Sequence, residues 1–105
     1  MEHAQITNCI SREELKQLIS TKQQLVKIID VRGKEDYDNY HIPGAINIVI
    51  LEIELASQLF DKNDFVITAC GKGGGRSAQA AEKLQQLGFK NAKWLCGGTI
   101  GWNEN

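Results

Sequence analysis

One stretch of the sequence constrains the fold more than any other: an apolar strand that runs into a glycine-rich loop and then into a helix. Residues 65–69 form a short apolar run after a turn, which is typical of a buried strand. Four of the five residues in 71–75 are glycine. Alanine and leucine then recur at helical spacing through residues 76–87, and Gly88 fits the end of that helix. This order predicts one strand and one helix of a parallel α/β sheet.

The rest of the chain also alternates strand-like runs with helical stretches. Further strands are predicted at residues 4–7, 25–29, 45–49 and 92–95. The other predicted helices are one that follows a capping box from Ser11 to Glu14, a short one at residues 34–40, and one at residues 51–60. This alternation predicts an α/β fold with a five-stranded, mostly parallel sheet and helices on both faces. Ligands bind such sheets beyond the carboxyl ends of the strands, and Cys70 falls at that edge.

Length and charge exclude several classes of protein. A chain of 105 residues predicts a single domain, residues 1–105. Lysine and arginine number 12 and aspartate and glutamate 13, so the net charge of −1 favours neither nucleic acid nor an anionic membrane as a partner. No apolar run approaches the roughly 20 residues that span a bilayer. The first residues have no basic and apolar regions of a secretion signal, so we expect a cytoplasmic protein without nucleic-acid or membrane partners.

The three cysteines are an odd number and are widely spaced. A disulfide scaffold is therefore not expected, and reduced thiols in a cytoplasmic protein are the better interpretation. No cysteine pair has the spacing of zinc ligands, and the two histidines are far apart in the sequence. We expect neither a metal site nor a cofactor.

The glycine-rich segment has the features of an anion-binding loop around a reactive thiolate. Glycines allow successive N–H groups to converge on one point, and the positive end of the following helix adds to the same field. Cys70 and Arg76 are the candidate catalytic residues, because a fixed positive charge near a cysteine favours the thiolate. The candidate substrate-binding residues are Gly71, Lys72, Gly73, Gly74, Gly75 and Ser77. The alternative is a buried structural cysteine beside a flexible loop, but the positions of Arg76 and Ser77 favour the reactive thiolate.

Four segments together resemble the rhodanese (thiosulfate sulfurtransferase) homology domain in its small, single-domain form. They are residues 29–32 (Ile-Asp-Val-Arg), residues 41–47 (His-Ile-Pro-Gly-Ala-Ile-Asn), the loop at residues 70–77, and residues 95–102 with their double glycine and tryptophan. Each segment alone is a weak signal, whereas all four in this order and at these spacings are specific. The resemblance covers nearly the whole chain and implies a five-stranded parallel α/β sheet.

The resemblance also implies a chemistry for the candidate site. In this family a cysteine thiolate, here Cys70, attacks the outer sulfur of thiosulfate or of a persulfide-donor protein. The resulting persulfide passes its sulfur to cyanide or to a cellular thiol. Asp30 and Arg32 are implied to be supporting residues, with the Asp30 carboxylate pairing with Arg32 or accepting from loop amides.

The loop departs from the common sulfurtransferase form in its length. Arg76 lies six positions after Cys70, one more than is usual in the family, and a larger ring of amides fits a larger anion. The longer loop is similar to that of cysteine-dependent phosphatases and arsenate reductases, and also to that of tRNA 2-selenouridine synthases. Ala69 stands where the phosphatases usually have histidine, and the loop has no acidic residue, so sulfur transfer is favoured. A third alternative is a non-catalytic module that binds an anion or a protein. The presence of both Cys70 and Arg76 argues against it.

Cys96 is a candidate resolving thiol. It ends the last predicted strand, next to the double glycine at 97–98. If that strand neighbours the one before Cys70, the two cysteines lie at the same edge of the sheet. Cys96 could then resolve an oxidised or persulfidated Cys70 as a disulfide. The alternative is that Cys96 is simply a small, buried apolar side chain.

Overall fold

A computed structural model describes residues 9–102 of the chain. The strands are β1 (Cys9–Ile10), β2 (Val26–Asp30), β3 (Ile46–Asn47), β4 (Phe65–Ala69) and β5 (Lys93–Leu95). The α-helices are α1 (Arg12–Lys22), α2 (Lys34–Asn39), α3 (Ala56–Leu59), α4 (Gly75–Gln86) and α5 (Gly98–Trp102). Short 3-10 helices occupy Gln23–Leu25 and Ile50–Leu55.

The five strands form one sheet in the order β1-β5-β4-β2-β3. Every neighbouring pair is parallel, which confirms the predicted five-stranded parallel sheet. The strand predicted at residues 4–7 lies outside the described residues, and the first strand of the sheet is β1. The helix predicted at residues 51–60 is mostly a 3-10 helix, and only the four residues of α3 are α-helical.

Helices cover both faces of the sheet, each over its own apolar cluster. On one face, Leu84 of α4 and Ala56 of α3 pack with Phe89, and each is fully buried. On the other face, Leu15 of α1 is fully buried against strand residues that include Ile67. Because the sheet is covered on both faces, the carboxyl ends of its strands are the edge left for a ligand.

The predicted capping box determines where α1 begins. Ser11 Oγ accepts a hydrogen bond from the Glu14 N–H, and the Glu14 carboxylate accepts one from the Ser11 N–H, both at 3.0 Å. The hydrogen bond from the Ser11 N–H, with a smaller contribution from the Ser11 hydroxyl, lowers the pKa of the Glu14 carboxyl below its usual value. The helix thereby starts directly after β1, which places the short edge strand and α1 side by side.

Candidate active site

Cys70 follows β4 directly, at the carboxyl edge of the sheet. The side chain is buried, with 6% of its surface exposed. Its Sγ lies 3.3 Å from the Gly74 carbonyl oxygen and 3.3 Å from Ser77 Oγ. The thiol is therefore enclosed by its own loop and by the first turn of α4.

The loop between Cys70 and α4 needs glycine at three successive positions. Gly73, Gly74 and Gly75 have φ angles of 91°, 68° and 46°, in the left-handed region that glycine adopts without a Cβ penalty. Such a run of turned peptide units can aim several N–H groups at one point and make an anion-binding concavity. No side chain caps α4, so the N–H groups of its first turn add to the same positive field.

Ser77 links the thiol to the loop. Its side chain is fully buried, and its hydroxyl donates a 2.8 Å hydrogen bond to the Gly74 carbonyl while it accepts from the Cys70 thiol. Thr68 Oγ1 on β4 donates to the Ser77 carbonyl at 2.7 Å, which holds this turn of α4 against the strand. The Ser77 hydroxyl can rotate to donate to a thiolate when Cys70 loses its proton.

Two cations of the loop project into solvent. The side chains of Lys72 and Arg76 are exposed. Neither forms a hydrogen bond or an ion pair with any residue that the structure describes. Both charges therefore remain available to an anion that approaches the loop.

Asp30, which is buried, and Arg32, which is partly exposed, form an ion pair at the end of β2. Arg32 donates to the Asp30 carboxylate from its backbone N–H at 3.0 Å, from Nε at 3.0 Å and from Nη2 at 2.8 Å. Nη2 also donates to the Tyr40 carbonyl at 2.6 Å. The hydrogen bonds to Asp30 raise the pKa of the Arg32 guanidinium above its usual value, and the nearby Cys70 acts in the same direction. The Asp30 carboxylate therefore pairs with Arg32, as one of the two expected arrangements had it.

The turn that contains this ion pair is also hydrogen-bonded to the neighbouring strands beside Cys70. The Val31 N–H donates to the Ala69 carbonyl at 2.9 Å, which extends the contact between β2 and β4 to the residue before Cys70. Asn47 Nδ2 donates to the carbonyls of Asp30 and Arg32 at 3.0 and 2.9 Å. The turn after β2 therefore supports the start of the Cys70 loop.

The segment at residues 97–100, which we call the backing segment, packs against the Cys70 loop. The Thr99 N–H donates to the Cys70 carbonyl at 2.7 Å, and the Ile100 N–H donates to the Gly71 carbonyl at 3.0 Å. A Cβ on Gly98 would lie 2.5 Å from the Gly73 nitrogen and 2.6 Å from the Cys70 carbonyl oxygen. Sequence reasoning did not assign these residues to the site, although the double glycine was the signal for such a close backbone approach.

Cys96 is bonded to Cys9, so the prediction of a resolving thiol for Cys70 is wrong for this structure. The Cα atoms of the two residues are 5.3 Å apart, and Cys70 is the free thiol. The reason is topological: β5 lies between β4 and β1, and β1 places Cys9 opposite Trp94. The expectation of reduced thiols is wrong for Cys9 and Cys96, although Cys70 is a free thiol. The expectation of a buried, apolar Cys96 is also wrong, because Cys96 is half-buried in a disulfide.

The described residues were also searched for a metal site and for a membrane-spanning helix. Within residues 9–102, no group of three or more His, Cys, Asp or Glu side chains is arranged to hold a metal ion. Over the same range, no helix has the length and apolarity to cross a membrane. A cytoplasmic location stays a prediction, and the disulfide removes the argument from reduced thiols.

Comparisons with known proteins agree with the geometry. The family model of the rhodanese-like domain matches residues 11–105. The thiosulfate sulfurtransferase PspE of Escherichia coli (strain K12) is 40% identical over 67 residues, which are 62% of this chain and 64% of PspE. The protein YrkF of Bacillus subtilis (strain 168) is 34% identical over 93 residues, which are 89% of this chain but about half of YrkF, 49%. The structure of the human single-domain sulfurtransferase TSTD1 is 26% identical, with a TM-score of 0.79 over 94% of this chain and 99% of that one.

Proposed function

The chain belongs to the family of rhodanese-like domains, and from this premise we propose that it transfers sulfane sulfur through a persulfide on Cys70. One observation carries the proposal. Cys70 is the free, enclosed thiol at the base of a loop with three positive-φ glycines, and the two exposed cations on that loop have no partner among the described residues. This arrangement combines a nucleophile with a site for a small anion. Relatives named thiosulfate sulfurtransferases support thiosulfate as a donor.

The first half-reaction loads sulfur onto the enzyme. The Cys70 thiolate attacks the outer sulfur of thiosulfate, a new S–S bond forms, and the original S–S bond breaks. Sulfite leaves with the electron pair of the broken bond, and Cys70 holds a persulfide. A persulfide-donor protein would load Cys70 in the same way, with its own thiolate as the leaving group.

The second half-reaction unloads the sulfur. Cyanide or a thiolate attacks the outer sulfur of the persulfide, which gives thiocyanate or a new persulfide and returns the Cys70 thiolate. The oxidation states balance without a cofactor, because one sulfur atom moves from one nucleophile to another.

Each neighbour of Cys70 has a role in this scheme. The loop amides and the side chains of Arg76 and Lys72 bind the sulfonate end of thiosulfate and stabilise the departing sulfite. The Ser77 hydroxyl donates to the thiolate. Asp30 and Arg32 touch neither substrate nor sulfur in the scheme and support the edge on which the loop starts.

Phosphate or arsenate chemistry on the same loop is the second candidate function, and the longer spacing from Cys70 to Arg76 is the feature that favours it. Hydrolysis of a phosphate ester with a poor leaving group also needs an acid to protonate the leaving oxygen. Asp30 is the buried carboxylate at this edge of the sheet, and Arg32 holds it with three donors. Sulfur transfer needs no such acid, because sulfite leaves as a stable anion.

A side-by-side assay separates the two functions. Purified protein is given thiosulfate with cyanide in one reaction and para-nitrophenyl phosphate in another. We expect the wild-type protein to form thiocyanate and not to release nitrophenol. The variant Arg76→Ala is expected to lose thiocyanate formation through a higher KM for thiosulfate. Exposed Lys90 lies outside the loop, so Lys90→Ala is the control for loss of one surface charge and keeps the wild-type KM. Nitrophenol release that vanadate blocks, with no thiocyanate, would contradict the proposal.

Removing the Ser77 hydroxyl is expected to slow the reactions of Cys70. Ser77→Ala takes away a donor to the thiolate, and a hydrogen bond to a charged group contributes enough to predict a loss of about tenfold in rate. The measurement is the rate of Cys70 alkylation by iodoacetamide at neutral pH. The control is Ser57→Ala, which changes an exposed serine of α3. Equal alkylation rates in both variants would show that Ser77 does not stabilise the thiolate.

A further inference from the structure

The Cys9–Cys96 disulfide lies directly before the backing segment. Cys96 is the residue that precedes Gly97, and its N–H donates to the Ile10 carbonyl at 2.9 Å. The covalent bond and this hydrogen bond both join the end of β5 to β1. β1 is an edge strand of two residues, so within residues 9–102 few backbone hydrogen bonds join it to β5 besides the disulfide.

The start of α1 holds the other end of the same region. Arg12 Nη1 donates to the Gly101 carbonyl at 3.1 Å. The Lys16 ammonium lies 5.2 Å from the centre of the Trp102 ring, within the range of a cation–π contact. Residues 9–16 therefore contact the chain at both ends of the backing segment: at Cys96 before it, and at residues 101–102 after it.

We propose that the Cys9–Cys96 disulfide is a positioning element of the Cys70 loop, so that its redox state sets how tightly the loop binds thiosulfate. The substrate named here rests on the proposed function. The disulfide is remote from the sulfur transfer itself and forms no bond with Cys70. A dithiol reductant would cleave it by supplying two electrons and two protons, which gives two cysteine thiols and the disulfide of the reductant.

The disulfide acts on the Cys70 loop through the hydrogen bonds that the backing segment donates to the loop carbonyl groups. The backing segment holds the Cys70 and Gly71 carbonyls on its own N–H groups, and this keeps the loop in the shape in which its other N–H groups can meet an anion. Both half-cystine residues are half-buried rather than enclosed in the core, so we expect a small reductant to reach the disulfide. Once the disulfide is reduced, the loop has its binding conformation for a smaller fraction of the time. The apparent affinity for thiosulfate falls in proportion to that fraction.

Steady-state kinetics distinguish this positioning role from a contribution to stability alone. The double variant Cys9→Ala/Cys96→Ala is compared with oxidised wild type in the thiosulfate and cyanide assay. A positioning role predicts a KM for thiosulfate that is about fivefold higher or more, with kcat nearly unchanged. Lower stability alone would reduce the amount of active protein, and so kcat, and leave KM as it was.

Chemical reduction gives the matched control. Wild type is reduced with a trialkylphosphine, separated from the reagent under exclusion of oxygen, and assayed. Its KM for thiosulfate is expected to rise to that of the double variant. After reoxidation, the KM is expected to return to its original value. The same treatment leaves the KM of the double variant unchanged, which excludes an effect of the phosphine on Cys70. An unchanged KM in reduced wild type and in the double variant overturns the proposal, and so does a loss of kcat alone.

A binding measurement keeps the test independent of turnover. Sulfate is an unreactive anion, and the concentration that protects Cys70 from iodoacetamide reports the affinity of the loop. We expect this concentration to be higher in the double variant by the same factor as the KM. If oxidised wild type forms no thiocyanate, the proposed function fails, while equal sulfate protection of both proteins would overturn the positioning role by itself.

Discussion

Replacing Cys70 by serine is expected to abolish thiocyanate formation from thiosulfate and cyanide while the fold survives. A serine hydroxyl fits the buried position between Gly74 and Ser77, but it cannot form a persulfide. Loss of the nucleophile predicts a fall in turnover of roughly a thousandfold or more. The measurement is the steady-state rate, made beside a urea denaturation curve to show that the variant is folded.

The control for this experiment is the Cys9→Ala/Cys96→Ala protein, in which Cys70 is the remaining cysteine. It is expected to turn over thiosulfate at a similar kcat, which shows that one thiol is sufficient. A Cys70→Ser protein with most of the wild-type activity would show that sulfur moves by another route and would refute the proposed nucleophile.

Replacing Gly98 by alanine is expected to damage both stability and thiosulfate binding. The new Cβ would lie 2.5 Å from the Gly73 nitrogen and 2.6 Å from the Cys70 and Gly71 carbonyl oxygens, and φ at Gly98 is +62°. These contacts are with backbone, so the loop or the backing segment must move. Overpacking and a strained φ together predict a loss of about 2–4 kcal/mol in the free energy of unfolding. Urea denaturation measures the loss, and the KM for thiosulfate reports the displaced loop.

Gly101→Ala is the matched control for Gly98→Ala. It is the same substitution three residues later in α5, and no heavy atom beyond its chain neighbours and its own helix backbone lies within 4 Å of the position of its Cβ. We expect wild-type KM and nearly wild-type stability. If Gly98→Ala were as stable and as active as Gly101→Ala, the backing segment would not lie against the Cys70 loop.

Local pattern was sufficient to predict the central elements of the fold and the position of the glycine-rich loop after Cys70. The apolar run that became β4 coincides with the observed strand, Phe65–Ala69, and the next predicted helix begins within one residue of α4. Buried strands and long amphipathic helices have a strong periodicity that neighbouring residues already encode. The Cys70 loop could be found because glycine has a specific backbone use there.

Contacts between distant parts of the chain could not be predicted in the same way. Cys9 and Cys96 are separated by 87 residues, and their contact depends on β1 lying beside β5 at the edge of the sheet. A two-residue strand has no periodicity to recognise, so Cys9 had no structural context in the sequence. The backing segment was missed for the same reason, since its hydrogen bonds to Cys70 and Gly71 come from tertiary packing.

The mass of the intact protein after incubation with thiosulfate tests the central claim most directly. The protein is measured without reductant, beside Cys70→Ser treated in the same way. We expect an adduct of one sulfur atom on wild type that disappears on reduction and that Cys70→Ser does not form. A wild-type protein that gains no sulfur, or an adduct of the same extent on Cys70→Ser, would contradict persulfide chemistry at Cys70.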